Sequence, residues 1–156
     1  MAARDVIFIS IIIFVLGIGF FITKFAIGEV VTRIVATDVV NSSQPAVDAF
    51  NSSITQADKL DRWVLYIFLG MVLALIITSW FVTGRPVFVF LYMIVIIIGV
   101  GLSAILSNVW ETTTIMARFG AAVGSFPITN HLLSYLPIYT LAVGFIGMVV
   151  MFAKPQ

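Results

Sequence analysis

Four long apolar stretches alternate with polar segments along this chain. They occupy residues 6–23, 63–83, 87–106 and 132–153, and none of them contains a charged side chain. A helix needs about 20 apolar residues to cross a hydrocarbon core roughly 30 Å thick. Because lipid offers no partner to a backbone amide, a segment that crosses it must satisfy its hydrogen bonds within the helix. The pattern therefore predicts an all-α polytopic membrane protein with four transmembrane helices.

The segment 24–62, between the first two apolar stretches, keeps a helical pattern on both sides of a turn-rich cluster at 41–45. This predicts that the first two helices, at about 5–40 and 45–83, extend beyond the bilayer by roughly 20–25 Å as an antiparallel hairpin. Each apolar stripe is too narrow to be stable alone in water, so the stripes must pack together or against a partner. The alternative is that 29–62 lies flat on the membrane surface. The residues predicted to form this partner-docking stripe are Val31, Ile34, Val47, Phe50 and Ile54.

Small residues recur in the last two apolar stretches. Gly99, Ser103 and Ser107 follow one another at four-residue intervals, and Gly144 and Gly147 lie in the last stretch. Small side chains allow helix backbones to approach closely, which favours helix association in lipid. We expect these five residues to form helix-packing contacts with another span or with a neighbouring subunit.

The segment 107–131 and the last stretch each contain a further structural signal. Met116, Phe119, Val123 and Phe126 fall on one face of a helix, which predicts a short interfacial amphipathic helix. An ordinary buried loop helix is the alternative. Pro137 lies inside the last stretch and removes a helical hydrogen bond, so it predicts a kink or a break there.

The composition leaves room for one membrane domain, covering 1–156, and no separate soluble domain. Of the 156 residues, 62% are hydrophobic and 10% are charged, whereas soluble domains carry about 25% charged residues. The net charge of +1 and the lack of a basic cluster argue against a nucleic-acid partner. The absence of cysteine excludes disulfides, iron–sulfur clusters and thiol-attached haem.

Residues suited to chemistry are sparse. The apolar stretches hold only neutral polar groups, whereas transporters and proton relays place ionisable residues at membrane depth. His131 is the only histidine and has no nearby residue with which to form a metal site. Asp58 and Asp61 alternate with basic neighbours, which predicts a solvated charged collar at the membrane surface. We therefore predict no enzyme, no catalytic or metal-binding residue and no cofactor.

The orientation signals conflict. Four spans place both termini on one side, and the long segments 24–62 and 107–131 on the other. Counting Lys and Arg favours the long segments inside the cell, whereas their density near the span ends favours the termini inside. We favour cytoplasmic termini.

Four short segments carry a resemblance to a known group of proteins. Asp61–Phe68, Gly84–Phe88, Ser107–Glu111 and Phe126–Asn130 resemble parts of small internal-membrane proteins of tailless icosahedral double-stranded DNA viruses. The resemblance implies a virion structural protein, in the virion internal membrane or the host cytoplasmic membrane. It also implies capsid-type protein partners.

The sequence therefore predicts a structural or assembly protein of a membrane, without enzymatic activity. Its expected partners are the lipid bilayer and other membrane or capsid-type subunits, in a homo- or hetero-oligomer. Two alternatives belong to other classes. One is an accessory subunit of a cellular membrane complex. The other is a membrane insertase, because one class of insertases also carries a helical hairpin between its first two spans.

Overall fold

The computed structural model describes residues 2–37, 40, 42–81 and 88–153, and the regular structure in these ranges is entirely α-helical. This confirms the all-α prediction. The seven helices of this part of the chain are α1 (Ala2–Val35), α2 (Gln44–Asp58), α3 (Leu60–Phe81), α4 (Phe88–Ile115), α5 (Ala117–Val123), α6 (Pro127–Ser134) and α7 (Leu136–Phe152).

Three helical segments are long and apolar enough to cross a membrane. They are Arg4–Val35 in α1, Gln44–Phe81 in α2 and α3 together, and Val89–Ile115 in α4. The pair α6 and α7 meets the same criteria when its two parts are counted as one bent span. The chain therefore has three to four candidate membrane spans, which is compatible with an integral membrane protein.

The helix ends differ from the predicted ones at three places. α1 ends at Val35, followed by turn hydrogen bonds at Ala36 and Thr37, rather than continuing to residue 40. A single-residue break at Lys59 separates α2 from α3. α4 continues to Ile115, well past residue 106, because the end of an apolar stretch marks a change of polarity and does not by itself end a helix.

The predicted kink in the last apolar stretch is confirmed. α6 and α7 meet at an angle of 70° around Tyr135. Pro137 lies in the first turn of α7, where its missing N–H breaks no helical hydrogen bond. The break exposes the Ser134 carbonyl at the end of α6, and the Ser107 hydroxyl of α4 donates a hydrogen bond to it over 2.7 Å.

The helices form a bundle with an apolar interior and an apolar outer surface. α1 and α7 contact each other, and each of them also contacts α3 and α4. α3 and α4 are joined mainly through α1 and α7. Ile13, Phe21 and Leu133 are among the fully buried side chains of the main core. Large hydrophobic side chains such as Leu73 and Ile97 are exposed on the outside. An outer surface of this kind is typical of a lipid-facing bundle.

The short helix α5 lies against α1. The Phe119 ring contacts the rings of Phe21 and Phe25, at centroid distances of 5.7 and 5.0 Å. Phe126 is buried, whereas Met116 is exposed. Phe119 and Val123 are half-buried, so the apolar face packs in part on the protein, and the interfacial position of this helix stays a prediction.

Candidate functional site at the base of the hairpin

Charged side chains meet where α1 leaves the bundle and where α2 passes into α3. We call this cluster the hairpin base and define it by Lys24, Asp58 and Asp61. The Lys24 ammonium forms a salt bridge of 2.6 Å with Asp58 Oδ1 and donates to the Ser125 carbonyl over 3.3 Å. It also lies 4.7 Å from the centroid of the Phe126 ring. Lys24, with a side chain 13% exposed, thus joins α1 to α2 and to the linker that precedes α6.

Asp61 is the most deeply buried charged residue of the hairpin base, at 5% exposed. Its Oδ1 accepts a hydrogen bond of 2.7 Å from the Thr129 backbone N–H, and its Oδ2 accepts one of 3.1 Å from the Ile128 N–H. The first N–H groups of a helix have no partner within it and carry a partial positive charge. Asp61 therefore caps α6 from another helix.

The prediction of a solvated charged collar is wrong for Asp61. The carboxylate is withdrawn from solvent, and two backbone donors satisfy it. Asp58 conforms better to the prediction, since its side chain is 57% exposed. The position that would normally cap α6 is occupied by Phe126, which has no side-chain oxygen, and no side-chain cap hydrogen bond forms there.

An aromatic layer adjoins the hairpin base. The Phe21 ring makes edge contacts with Trp110 and Phe126, at centroid distances of 5.2 and 5.8 Å. Trp110 is fully buried, and its indole N–H donates to Asn130 Oδ1 over 2.9 Å. Helices α1, α4 and α6 are thereby fixed to one another next to the charged cluster.

The residues predicted to dock a partner are buried or half-buried within the chain. α1 and α2 contact each other, and Val31 is 5% exposed. The other four, Ile34, Val47, Phe50 and Ile54, are half-buried. Among the described residues of 24–62, Val30 is the large hydrophobic residue that is exposed. The docking role of the five predicted residues stays a prediction, and most of their apolar surface is already covered within the chain.

The predicted helix-packing residues are all buried. A Cβ added at Gly99 would lie 3.2 Å from the Ile7 side chain of α1, and one at Gly144 would lie 3.0 Å from the Ile96 side chain of α4. At Gly147 an added Cβ would lie 2.8 Å from Leu75 of α3. These glycines therefore occur at close approaches between helices of one chain.

Ser103 and Ser107 belong to the same face of α4. The Ser103 hydroxyl donates to the Val100 carbonyl of its own helix. The Ser107 hydroxyl instead reaches the carbonyl at the end of α6. Sequence reasoning identified these serines by their size, and it missed this hydrogen bond.

The bundle interior contains a further polar contact between helices. The buried hydroxyls of Ser10 and Thr140 lie 2.7 Å apart, which joins α1 to α7. His131 is exposed and stacks at a tilt on Tyr135, with centroids 4.7 Å apart. No group of three or more His, Cys, Asp or Glu side chains is placed to hold a metal ion within the described ranges.

Comparisons with protein-family models, with curated proteins and with solved structures found no match to this chain. Its function is therefore inferred from its residues and their geometry.

Proposed function

We propose that this protein is a structural component of a membrane, without enzymatic activity. In this proposal the helical bundle lies in lipid, and the helices of 24–62 project from it to bind a protein partner. The observation that carries the proposal is the hairpin base, where Lys24 of α1 pairs with Asp58 of α2 and also donates to the Ser125 carbonyl that precedes α6. A connection of this kind suits helices that hold a protein partner at a fixed position relative to the membrane.

The lengths of the helices support a projecting hairpin. Asp5 and Lys24 are separated by about 29 Å along α1, at 1.5 Å per residue, which is close to the thickness of a hydrocarbon core. Beyond Lys24, α1 continues to Val35, a length of about 16 Å. α2 has 15 residues and is therefore about 22 Å long.

The outer surface of α2 supports recognition of a protein through hydrogen bonds. Its exposed residues are mainly neutral and polar, since Asn51, Ser52, Ser53, Thr55 and Gln56 are all exposed. A helix that lies on lipid would instead direct an apolar face outward. The apolar residues of the hairpin hold its two helices together and leave this polar face to a partner.

The nature of the partner is a further part of the proposal. The resemblance of four short segments to virion internal-membrane proteins favours a capsid-type protein layer outside the lipid. In that setting the bundle would anchor the membrane, and the hairpin would contact the layer.

The position of the hairpin is tested by spin labelling. The chain contains no cysteine, so single-cysteine variants need no background substitutions. We expect a nitroxide at Ser43, near the tip, to be relaxed by a water-soluble paramagnetic reagent in liposomes. A nitroxide at the exposed lipid-facing residue Ile97 serves as the matched control and should respond to oxygen instead. A Ser43 label that responds to oxygen as the Ile97 label does would place this residue in the hydrocarbon core and contradict the projection.

The docking function is tested by photo-crosslinking in the membrane where the protein is naturally made. A photoreactive amino acid at Ser52, on the outer face of α2, should yield a discrete crosslinked protein, and one at Ile97 should yield lipid adducts. Lipid adducts from both positions would contradict a docking role.

The structural role is tested separately in liposomes. If the purified protein supported a substrate flux across the membrane, and if one substitution abolished that flux, the purely structural role would be contradicted.

A further inference from the structure

We propose that a cleft between α1 and the end of α5 binds the headgroup of a zwitterionic phospholipid that carries a primary amine, as phosphatidylethanolamine does. One side of this cleft is a single face of α1, and the other comes from the end of α5 and the linker that follows it. The residues of the α1 face are Phe21, Lys24, Phe25, Gly28 and Glu29. This site rests on the proposed function in one respect, that the bundle lies in lipid, and it requires no protein partner.

The cleft offers space for a group larger than a water molecule. It is partly open to the outside and has a volume of about 200 Å³, whereas about 10–15 Å³ is enough to hold one water. Gly28 keeps part of this volume free, because a Cβ added to it would meet open space among the described residues. The buried side chain of Phe126 lines the opposite side. The cleft therefore admits several heavy atoms, with aromatic side chains available for an apolar part.

Lys24 supplies a donor for the phosphate. The ammonium of a lysine carries three N–H groups, and within the described ranges two acceptors are found for them, Asp58 Oδ1 and the Ser125 carbonyl oxygen. One N–H is therefore left for a phosphate oxygen. A hydrogen bond between two charged groups is stronger than one between neutral groups. Because the Lys24 side chain is largely buried, salt screens this contact less than it would at a fully exposed residue.

Glu29 supplies an acceptor for the amine. Its Oε1 accepts both hydrogen bonds from Arg33, over 3.0 and 2.7 Å, and its Oε2 has no partner in the described part of the chain. A primary ammonium can donate to this second oxygen, whereas the quaternary ammonium of choline has no N–H to donate. The two charged side chains that line the cleft, Lys24 and Glu29, have opposite signs. They complement a zwitterion, whereas an anionic headgroup without an amine would face the like charge of Glu29.

The order of these residues along α1 matches the order of groups in a phospholipid. Phe21 lies in the apolar stretch 6–23, and Lys24 is the first charged residue after it. At 1.5 Å per residue, Lys24 lies about 4.5 Å beyond Phe21, and Glu29 lies about 7.5 Å beyond Lys24. In a bilayer the acyl chains, the phosphate and the amine of a lipid follow one another outward in the same order. This correspondence favours a membrane lipid over a soluble phosphate or amine.

The lipid is identified by native mass spectrometry of the purified full chain in a mild detergent. The protein is mixed with equal amounts of phosphatidylethanolamine, phosphatidylcholine and phosphatidylglycerol that have the same acyl chains, and the bound lipids are distinguished by mass. We expect the phosphatidylethanolamine adduct to be at least threefold more abundant than either of the others. Glu29→Gln should abolish this preference. Glu111→Gln, the matched control, removes an exposed carboxylate outside the cleft and should preserve it.

A second pair of variants tests the location. Gly28→Leu puts a side chain into the cleft and should lower the phosphatidylethanolamine adduct at least threefold. Gly19→Leu is its control, because Gly19 also faces open space in the described part of α1 but lies outside the cleft, and the adduct should be unchanged. Equal abundance of the three lipids would overturn the site. A preference that survives both Glu29→Gln and Gly28→Leu would overturn it as well.

A further arm separates a lipid from a soluble ligand. Glycerophosphoethanolamine, which has the same headgroup and no acyl chains, should leave the adduct unchanged at the same concentration, and displacement by it would overturn the assignment to a lipid. Because the measurement includes no protein partner, a missing lipid preference would overturn this site alone. The labelling and crosslinking experiments would still decide the docking function.

Discussion

Replacement of Asp61 by alanine should destabilise the bundle more than any other loss of a charge in the hairpin base. The substitution removes the acceptor of two backbone hydrogen bonds, from Ile128 and Thr129. Hydrogen bonds to a charged group contribute about 1.5–3 kcal/mol each, and an unsatisfied buried donor costs about 1–3 kcal/mol. Because Thr129 is fully buried and Ile128 only partly so, we expect a loss of about 3 kcal/mol, part of it from the helix dipole.

The control for this prediction is Asp58→Ala. Its carboxylate also belongs to the hairpin base, but it is more than half exposed, and exposed ion pairs contribute about 0.2–1 kcal/mol. Reversible unfolding in mixed micelles, followed by tryptophan fluorescence, gives both values. Equal losses for the two variants would refute the capping role of Asp61.

Hydrogen exchange supplies a local test of the same cap. If Asp61 holds the first turn of α6, its removal should accelerate amide exchange at Ile128 and Thr129. A loss of about 3 kcal/mol corresponds to a factor of about 100. Asp58→Ala should leave these two amides protected. Acceleration spread evenly over α6 and α7 would indicate general loosening of the bundle instead of a lost cap.

Three further predictions concern packing and polar contacts. Gly99→Leu should lower the free energy of unfolding by about 2 kcal/mol or more, because the added side chain meets α1. Gly101 has open space around it, so Gly101→Leu should lower the free energy of unfolding by less than about 0.5 kcal/mol. Equal losses in detergent unfolding would contradict close packing at residue 99. A double-mutant cycle of Ser10→Ala and Thr140→Val should give a coupling of about 0.6 kcal/mol, and zero coupling would show that the two hydroxyls do not bond. Trp110→Phe should cost about 2 kcal/mol through a lost hydrogen bond and a small cavity, measured by thermal unfolding; an unchanged midpoint would contradict its buried position.

The apolar stretches and the break in the last of them could be predicted from the sequence because their causes are local. A stretch without charges identifies a helix that tolerates lipid, and Pro137 is suited to the first turn of a helix, so it marks a new helix start inside the last stretch. The end of α4 could not be predicted in this way. Beyond residue 106 the chain becomes polar, yet the hydroxyls of Thr112 and Thr113 bond to carbonyls four residues earlier and the helix continues.

The role of Asp61 could not be read from its neighbours. Its partners are backbone N–H groups more than 60 residues away, and backbone groups carry no signature in the sequence. One indirect signal was present. The helix that begins at Pro127 follows Phe126, so it lacks the Ser, Thr, Asp or Asn that usually caps a helix. A buried helix start without a local cap requires an acceptor from elsewhere in the chain.

The positions of the charges relate the hairpin base to the proposed function. Lys24 connects α1 to α2, and Asp61 connects α3 to α6, so all four elements meet at one level of the molecule. Under the proposed function, a pull on the hairpin would reach the linker before α6 through the Lys24 hydrogen bond to the Ser125 carbonyl. A free peripheral helix pair would need no such connection. This arrangement is compatible with the proposed function of an anchor between a membrane and a protein layer.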